Sequence, residues 1–242
     1  MRMNFFYNSK KLGAICIRKV ASQCTIYSKR VEARSINQYD EDYLIAQYRC
    51  LLQKQENTNL FAEGKPWRDS EVTDFIHKET CKWNSGNELS VFSLLNTSSQ
   101  EFIGYLQLNH AIEDFKDIGV GHRNVAEIAY ILDKQFWGQG YGAEIATLGI
   151  KFIKHCIEQA PEGSLERNIK EIVATVHPMN DGSKRILQKT LKQQEPEEFT
   201  KFGGQPRLLF FQPLSPIEYP ATKKEGSPGL WTGCVAKKSR TG

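Results

Sequence analysis

Three alternating glycines stand immediately before an apolar-periodic segment in the stretch FWGQGYGAEIATLGIKFI, which begins at Phe136. Glycine inside a regular element costs roughly 0.5–1 kcal/mol relative to alanine, so Gly138, Gly140 and Gly142 indicate a need for bare backbone. Amides at the start of a helix donate hydrogen bonds, and the helix dipole favours negative charge there. The spacing therefore predicts an anion site, such as one for a pyrophosphate, over residues 138–143, although an ordinary tight turn has the same signature.

Two other phosphate-binding motifs that are rich in glycine fit this stretch poorly. A P-loop requires a Lys followed by Ser or Thr after its last glycine, and neither is present. A Rossmann turn requires GxGxxG directly after its first strand, and an acid at the end of the next strand. Here residues 134–137 separate the glycines from their strand, and the next strand ends in His177-Pro178. A dinucleotide-binding oxidoreductase therefore stays only as the weakest of three hypotheses.

The remaining residues with reactive side chains give little support to a different chemistry. The six cysteines contain no CxxC pair and the five histidines complete no zinc spacing, so no metal site is predicted. His110, His122 and His177 do not stand with a Cys or Asp at triad-like spacing, which leaves nucleophilic catalysis without support. Cys156 lies on the apolar face of a predicted helix as a reduced thiol, and a reducing, cytoplasmic setting fits the cysteine usage best.

The composition is that of a globular protein without a nucleic-acid or membrane partner. The 242 residues are 40% hydrophobic and 25% charged, with a formal net charge of +4. That charge gives only weak attraction to anions, so no nucleic-acid partner is predicted. No stretch approaches the roughly 18–20 apolar residues of a membrane span, so no membrane partner is predicted.

Composition also divides the chain into three segments. Residues 1–28 are predicted to be a basic N-terminal extension, because no Asp or Glu occurs before residue 32. A solvated arm is favoured over a targeting segment, since the apolar run Leu12–Ile17 is too short for a secretory signal. Residues 29–214 form the predicted domain, and the Pro-, Gly-, Lys- and Ser-rich residues 215–242 are predicted to be a flexible C-terminal tail.

Hydrophobic periodicity predicts the order strand, two helices, three strands, helix, strand, helix, strand. The helices are predicted over 40–55, 66–83, 142–158 and 180–193. The strands are predicted over 29–36, 88–96, 101–111, 124–133, 171–178 and 207–214. This order predicts an α/β or α+β fold, with a single layer of sheet and helices on both of its faces.

Two segments resemble the motifs of the GNAT acetyltransferase superfamily. Residues 126–153, AEIAYILDKQFWGQGYGAEIATLGIKFI, are similar to its main motif, with Trp137 in place of the usual Arg or Gln. Residues 176–191, VHPMNDGSKRILQKTL, are similar to the second motif of the RimJ/RimL-like branch, the ribosomal-protein alanine acetyltransferases. The resemblance covers roughly residues 29–214. It implies a single GNAT-like domain with a central mixed, mostly antiparallel sheet of about six or seven strands.

The same resemblance implies a site for acetyl-CoA as co-substrate, without a metal. The pyrophosphate is expected on the backbone amides of the glycine turn, and the pantetheine arm on the edge of the strand before that turn. The expected cofactor-binding residues are Tyr130, Ile131, Leu132, Trp137, Gly138, Gln139, Gly140, Tyr141, Gly142, Ala143, Asn180 and Ser183.

Two residues are candidates for the chemistry of acyl transfer, which requires a neutral attacking amine and a stabilised leaving thiolate. Glu127 matches the position of a catalytic glutamate in several relatives, and pairing with a structural donor is an equal alternative. Ser183 matches a serine that points toward the sulfur in the resembling branch, but it also stands where a helix needs a cap. The tyrosine acid of many relatives is absent, because Leu187 occupies its position.

The activity implied is N-acetyl transfer from acetyl-CoA to a primary amine by direct attack in a ternary complex. The acceptor is a protein N-terminus, an aminoglycoside or another small amine, and the protein is a monomer or a homodimer. The acceptor pocket is expected to include Phe61, Trp67, Arg68, Asp69 and Glu71. The alternative is a catalytically silent acyl-CoA-binding GNAT-like module, which the absent tyrosine keeps open.

Overall fold

A computed structural model describes residues 2–10, 12–111 and 124–214 of the chain. The strands are β1 Arg2–Ser9, β2 Gly13–Val20, β3 Gln23–Tyr27, β4 Val31–Ser35, β5 Val91–Asn96, β6 Phe102–His110, β7 Val125–Leu132, β8 Glu171–Val176, β9 Glu197–Lys201 and β10 Gln205–Pro213. The helices are α1 Glu41–Leu52, α2 Gln55–Thr58, α3 Asp69–Asn84, α4 Tyr141–Gln159 and α5 Asp181–Thr190. In these ranges no helix is both long and apolar enough to cross a membrane.

All ten strands form one sheet, in the order β1-β2-β3-β4-β5-β6-β7-β8-β10-β9. Neighbouring strands are antiparallel, except that β7 and β8 run parallel. The predicted α/β (α+β) class and the mixed, mostly antiparallel sheet are therefore confirmed. The expected number of six or seven strands was wrong, because four strands lie in segments to which no strand had been assigned. The predicted tail, 215–242, lies outside the described residues.

The basic extension is not a solvated arm, because Arg2–Ser9, Gly13–Val20 and Gln23–Tyr27 form β1, β2 and β3 and continue the sheet. Ile15, Ile17 and Ile26 are fully buried in the main core. Lys19, on the same buried face of β2, is neutralised by Glu88, with Nζ 2.6 Å from Oε2. The predicted arm is wrong because these isoleucines alternate with period two along the strands, so one face of the segment is apolar and packs into the core despite its positive charge. The fourth strand, β9, is a mostly exposed edge strand with the sequence EEFTK and has almost no apolar alternation.

The two faces of the sheet carry different helices. Successive strand residues point to opposite faces, and Tyr105 of β6 stacks on Tyr48 of α1 with ring centroids 5.4 Å apart. The next residue, Leu106, packs with Ile128 against Gly149 of α4. Hence α1 and α3 cover the face of Tyr105, whereas α4 and α5 cover the face of Leu106.

The sheet opens between its two parallel strands. Residues 125–127 of β7 pair with residues 171–173 of β8, and the pairing stops there. β7 continues to Leu132 alongside β6, and β8 continues to Val176 alongside β10. The C-terminal halves of β7 and β8 therefore diverge, which leaves one edge of Ile128–Leu132 without a strand partner and makes a passage from one face of the sheet to the other.

Candidate active site

The glycine turn places bare backbone at the start of α4. Gly138 and Gly140 have φ angles of +74° and +85°, the left-handed region that glycine adopts without steric cost. A Cβ on Gly138 would meet nothing within 4 Å, so this side of the turn is open. Gly142 serves a different purpose, because it is helical and its Cβ would lie 2.8 Å from Ile186 Cδ1. Two of the three glycines thus shape the turn, and the third lets α5 pack closely against α4.

The first turn of α4 is suited to an anion. Gly140 is the N-cap, and no side chain caps this end of the 19-residue helix. The amides of Tyr141, Gly142 and Ala143 therefore point toward the cavity without an intrahelical acceptor. Together with the dipole of a long helix, they provide the donors and the positive potential that a pyrophosphate requires.

A cavity of about 800 Å³ lies in front of this turn, on the α4 face of the sheet. All of the predicted cofactor-binding residues line it, except Gln139. The Gln139 side chain donates instead to the carbonyl of Gln135 at 2.7 Å. Trp137 lines the cavity and donates its indole N–H to the carbonyl of Leu132 at 2.9 Å, so it fixes the turn to the end of β7.

Arg30 is a cation at this cavity that the sequence reasoning did not find. Its guanidinium donates to the carbonyl of Gln139 at 2.9 Å and lies 4.6 Å from the ring centroid of Tyr141. It also forms an ion pair with Glu144, whose carboxylate is 2.8 Å away and buried. Arg30 thus ties the start of β4 to the glycine turn and adds positive charge beside it. No local pattern could have shown this, because more than a hundred residues separate these partners along the chain.

Arg185 and Lys189 of α5 line the opposite wall of the same cavity. They are one helical turn apart and therefore lie on the same side of α5. Together with Arg30, these side chains give the cavity a cationic rim that suits a polyphosphate ligand.

A second cavity, of about 660 Å³, lies on the other face of the sheet. Its walls come from α3, β6, β7, β8 and the β9–β10 hairpin. The two cavities meet at the diverging ends of β7 and β8, because five residues line both of them: Leu60, Phe61, Tyr130, Asn180 and Ser183. A ligand in one cavity can therefore reach a ligand in the other.

Glu127 lines the second cavity and not the first. It is buried, and its carboxylate is ion-paired with Lys201, whose Nζ lies 2.9 Å from Oε1 and 3.1 Å from Oε2. Thr175 donates to the same oxygen Oε1 at 3.4 Å. Glu127 therefore pairs with structural donors, as one of its two predicted roles requires, and it also lines the second cavity, as the other role requires.

The sequence left two roles open for Ser183, a helix cap and a group that faces the ligand. In the structure Ser183 lies in the first turn of α5 and also lines both cavities. Its backbone N–H donates to Asn180 Oδ1 at 3.0 Å, so Asn180 is the cap of α5 and the Ser183 hydroxyl is not needed for that purpose. That hydroxyl lies 3.3 Å from the Tyr130 hydroxyl, at the junction of the two cavities.

Tyr130 contributes a chemical group that sequence reasoning assigned only through its backbone. Burial raises the pKa of its phenol to about 12, and the hydrogen bond with Ser183 opposes that rise. The phenol is therefore protonated at neutral pH. Tyr130 pairs with Leu106 across β6, whereas Glu127 pairs with Asn109. The phenol and the carboxylate thus lie on opposite faces of β7.

The expected acceptor pocket is only partly formed as predicted. Phe61 and Trp67 line the second cavity, whereas Arg68, Asp69 and Glu71 do not. Arg68 and Glu71 pair with each other at the start of α3, with the Arg68 backbone N–H 2.7 Å from Glu71 Oε2. The charged residues that do line the cavity are Lys78, Glu79, Lys82, Glu127, Lys201 and Arg207, with His110 and His177 beside them.

Metal-binding side chains do not converge in the part of the chain that the structure describes: no three His, Cys, Asp or Glu residues form a group that could hold an ion. Of the five residues that line both cavities, Tyr130 carries the titratable group, whereas Glu127 and Lys201 line the second cavity. What the arrangement can do is hold two ligands at once, one on each face of the sheet, with hydroxyl groups between them.

Comparison with known proteins agrees with this geometry. Residues 30–190 match the family model described as the acetyltransferase (GNAT) domain, which is more than half of the chain. An acetyltransferase of the GNAT family from Bacillus anthracis superposes with a TM-score of 0.55 at 14% identity, covering 77% of this chain and 96% of that one. RimL, a ribosomal-protein α-N-acetyltransferase solved in complex with coenzyme A, superposes with a TM-score of 0.52 at 17% identity, covering 77% and 96%.

An aminoglycoside acetyltransferase solved in complex with coenzyme A is similar to the same extent, with a TM-score of 0.52 and 16% identity over 72% of this chain and 91% of that one. At these identities the superpositions establish the fold, and the acceptors of the two characterised enzymes differ from each other. The resemblance seen in the two motifs is therefore confirmed at the level of the family.

Proposed function

The chain belongs to the GNAT acetyltransferase family, and on that premise we propose that it moves an acetyl group from acetyl-CoA to a primary amine by direct attack in a ternary complex. The observation that carries this proposal is the junction of the two cavities at Tyr130, Asn180 and Ser183. Direct attack requires both substrates to be bound at once with their reacting atoms in contact. Two cavities on opposite faces of a sheet that opens between them meet this requirement.

The residues around the first cavity fit coenzyme A. The amides of residues 141–143 and the left-handed glycines suit its pyrophosphate, and the unpaired edge of Ile128–Leu132 suits the amide groups of its pantetheine arm. Arg30, Arg185 and Lys189 supply positive charge at the rim. Acetyl-CoA supplies the acyl group as an activated thioester, and the rest of the chemistry falls to the side chains at the junction.

Glu127 is our candidate for the group that accepts the proton of the attacking amine. Most of any α-amino group or lysine is charged at neutral pH, so a proton must leave before attack. The Glu127 carboxylate lines the second cavity, where it can accept that proton directly or through a water molecule. The hydroxyl pair of Tyr130 and Ser183 is our candidate for stabilising the negative charge that develops on the leaving group.

The acceptor class is the least defined part of the proposal. RimL acts on a ribosomal protein, and the aminoglycoside acetyltransferase on an aminoglycoside. Both a protein N-terminus and a small amine therefore belong in a test of this chain. We also propose a cytoplasmic setting, which the free thiols of the five cysteines within the described ranges would suit.

The experiment that tests the proposal is thiol release from acetyl-CoA with a panel of amines, followed by mass spectrometry of the acceptors. N-terminal peptides, aminoglycosides, polyamines and free amino acids make up the panel. We expect a mass increase of one acetyl group on at least one acceptor, and a slower reaction in the Glu127→Gln variant. Tight binding of coenzyme A with no thiol release for any amine would contradict the proposal and support the catalytically silent module.

A further inference from the structure

In the second cavity the carboxylates have cationic partners, whereas a buried arginine has no acidic partner among the described residues. Its two carboxylates are both buried, and both are paired with a lysine of the same cavity. Glu79 pairs with Lys82 at 2.7 Å, and Glu127 pairs with Lys201 at 2.9 Å. The acids of this cavity are thus already neutralised by the protein, which makes it a poor receptor for a second positive charge.

Arg207, on β10, is a buried cation of this cavity that has no acidic partner among the described residues. It is 3% exposed, yet its guanidinium donates only to the backbone carbonyls of Ala62 and Pro206. Within residues 2–10, 12–111 and 124–214, no Asp or Glu forms an ion pair with it. A guanidinium has five N–H donors in a rigid fork, so donors remain for a further acceptor. Burial of a charge without a counter-ion is unfavourable unless something else supplies one.

The surroundings of Arg207 add to the positive potential. The ring of Phe202 lies 5.1 Å from the Arg207 guanidinium and 5.3 Å from Lys201 Nζ, so the two cations share one aromatic wall. His177, directly after β8, is a neighbour, and burial and then the charge of Arg207 lower its pKa. Lys78 stands exposed at the mouth of the same cavity.

We propose that the amine acceptor carries a carboxylate in the same molecule, and that Arg207 binds this carboxylate while the amine faces the junction of the two cavities. The inference rests on the proposed function and narrows its acceptor class. A carboxylate matches the planar fork of a guanidinium and supplies the missing counter-ion. A polycationic amine would instead place ammonium groups beside Arg207, where like charges repel.

The test compares acceptors that differ by one charge. Peptides with Asp or Asn as their second residue and an amidated C-terminus make the first pair, and free amino acids with their amides make the second. We expect kcat/KM for thiol release to be about tenfold or more higher for the acidic member, because a hydrogen bond to a charged group is worth more than a neutral one. A preference in the first pair identifies an acidic side chain as the source, and one in the second pair an α-carboxylate.

Variants then assign the preference to one residue. Arg207→Gln is expected to reduce the ratio of the two kcat/KM values to about one, and Arg207→Lys to retain part of it, because lysine keeps the charge and loses the fork. Lys170→Gln is the matched control, since Lys170 is exposed and lines neither cavity, and the change in net charge is the same. It should keep the wild-type ratio.

Three outcomes would overturn the inference. Wild-type protein that acetylates neutral or polycationic acceptors at least as fast as acidic ones contradicts it, whether or not any variant folds. An Arg207→Gln variant that preserves the wild-type ratio also contradicts it. In both cases acetylation itself still occurs, so the proposed function stands; if no amine in the panel is acetylated, both the inference and the proposed function fail.

Discussion

The two hydroxyl groups at the junction of the cavities differ in what they can donate. The raised pKa of Tyr130, about 12, keeps its phenol protonated across the range in which most enzymes work. The Ser183 hydroxyl lies 3.3 Å away and can accept a hydrogen bond from the phenol while it donates its own hydrogen to a third group. Since the Asn180 cap uses the backbone N–H of Ser183, the serine hydroxyl is available for this chain of donors.

Removal of either hydroxyl should therefore affect the chemical step more than the fold. For Tyr130→Phe and Ser183→Ala we expect kcat to fall by about a hundredfold, the lower range of a lost proton donor, with little change in the affinity for coenzyme A. Steady-state kinetics and calorimetric titration of coenzyme A separate the two effects. A kcat equal to that of wild type in both variants would exclude this pair from catalysis.

The left-handed glycines allow a matched test of the anion site. Alanine at Gly138 or Gly140 must adopt a positive φ angle, at a cost of about 1–2 kcal/mol, and places a methyl group beside the open amides. We expect the dissociation constant of coenzyme A to rise by about tenfold or more, because backbone and ligand can no longer approach closely. Titration calorimetry and thermal melting measure the two effects on the same samples.

Gly163→Ala is the control for this experiment. Gly163 has φ of +83° and open space around its Cβ position, and it lines neither cavity. It should show the same loss of stability as the other two variants with no loss of affinity. Equal affinities in all three variants would mean that the turn does not hold the ligand.

At the scale of the elements, the sequence predicts what depends on local periodicity. Helices α1, α3, α4 and α5 and strands β4 to β8 and β10 follow from apolar spacing at 3.6 or 2.0 residues, and their predicted ranges differ from the observed ones only at the ends. The short helix α2 was not predicted. The strands that were not predicted, β1 to β3 and β9, pair with their neighbours in sequence, and their own strand signal is weak or is masked by charge. β9 has little apolar pattern of its own, and its place in the sheet comes from pairing with β10.

The residues of the site divide into those that belong to a local sequence motif and those that distant contacts bring to the site. The glycine turn and Ser183 belong to local motifs, so their positions could be read from the sequence. Arg30 and Arg207 take part through contacts with residues far away in the chain, which no single window contains. The point at which β7 and β8 separate is also a property of the whole sheet, and it decides which side chains face which cavity.

The contact between β4 and α4 leads to a prediction about stability. Glu144 is buried and receives hydrogen bonds from the Ser28 hydroxyl at 2.7 Å and from the Arg30 side chain at 2.8 Å. Glu144→Gln removes the negative charge from this pair, and we expect the free energy of unfolding to fall by about 1–3 kcal/mol, since Arg30 is only partly exposed to solvent. Urea denaturation with an unchanged m-value measures this loss.

An exposed ion pair is the appropriate comparison. Glu63 and Lys65 are both more than half exposed, so Glu63→Gln should change the free energy of unfolding by less than about 1 kcal/mol. Equal losses in the Glu63 and Glu144 variants would show that the Arg30 contact does not fasten β4 to the glycine turn.

At the scale of the whole molecule, the N-terminal strands enclose a buried histidine. His155 of α4 is fully buried beneath β1, where its Nδ1 is hydrogen-bonded to the Tyr7 hydroxyl at 2.7 Å and its ring lies 4.5 Å from that of Phe5. Burial, and then the charge of Lys19, lower its pKa to about 4, while Glu88 opposes this change. Between about pH 4 and pH 6.5, His155 is therefore neutral in the folded protein and protonated in the unfolded chain.

This pKa makes stability depend on pH with a defined sign. Between about pH 6.5 and the folded pKa of about 4, the unfolded state binds more protons, so the free energy of unfolding falls as the pH falls. The full loss is about 3 kcal/mol, since a difference of one in pKa between the folded and unfolded states corresponds to roughly 1.4 kcal/mol. Urea denaturation at a series of pH values measures this loss directly.

The contribution of His155 is isolated by His155→Asn, whose side-chain oxygen takes the position of Nδ1 and keeps an acceptor for Tyr7. The variant should lose stability at neutral pH, yet its curve against pH should be flatter than that of wild type between pH about 4 and 6.5. Parallel curves for the two proteins would mean that other groups cause the acid sensitivity.

The three N-terminal strands lie outside the part of the chain that matches the family model, residues 30–190, although they belong to the same sheet and the same core. Two possibilities follow: the GNAT domain folds without them, or their burial has become necessary for this chain. The burial of Ile15, Ile17 and Ile26 favours the second. We expect Ile17→Ala to lower the free energy of unfolding by about 2–4 kcal/mol, the usual result of truncating a fully buried side chain.

Val20→Ala, in the same strand at a position that is 42% exposed, is the control and should change the free energy of unfolding by less than about 1 kcal/mol. The decisive measurement is whether unfolding stays a single transition in both proteins. If β1 to β3 folded independently of the rest of the sheet, Ile17→Ala would produce a separate transition at low denaturant concentration. Coenzyme A would then stay bound until the second transition, in which the rest of the domain unfolds. The continuous sheet predicts a single transition at a lower denaturant concentration, with the binding of coenzyme A lost in the same transition. The reason is that β1 to β3 and the strands that follow Arg30 then unfold together.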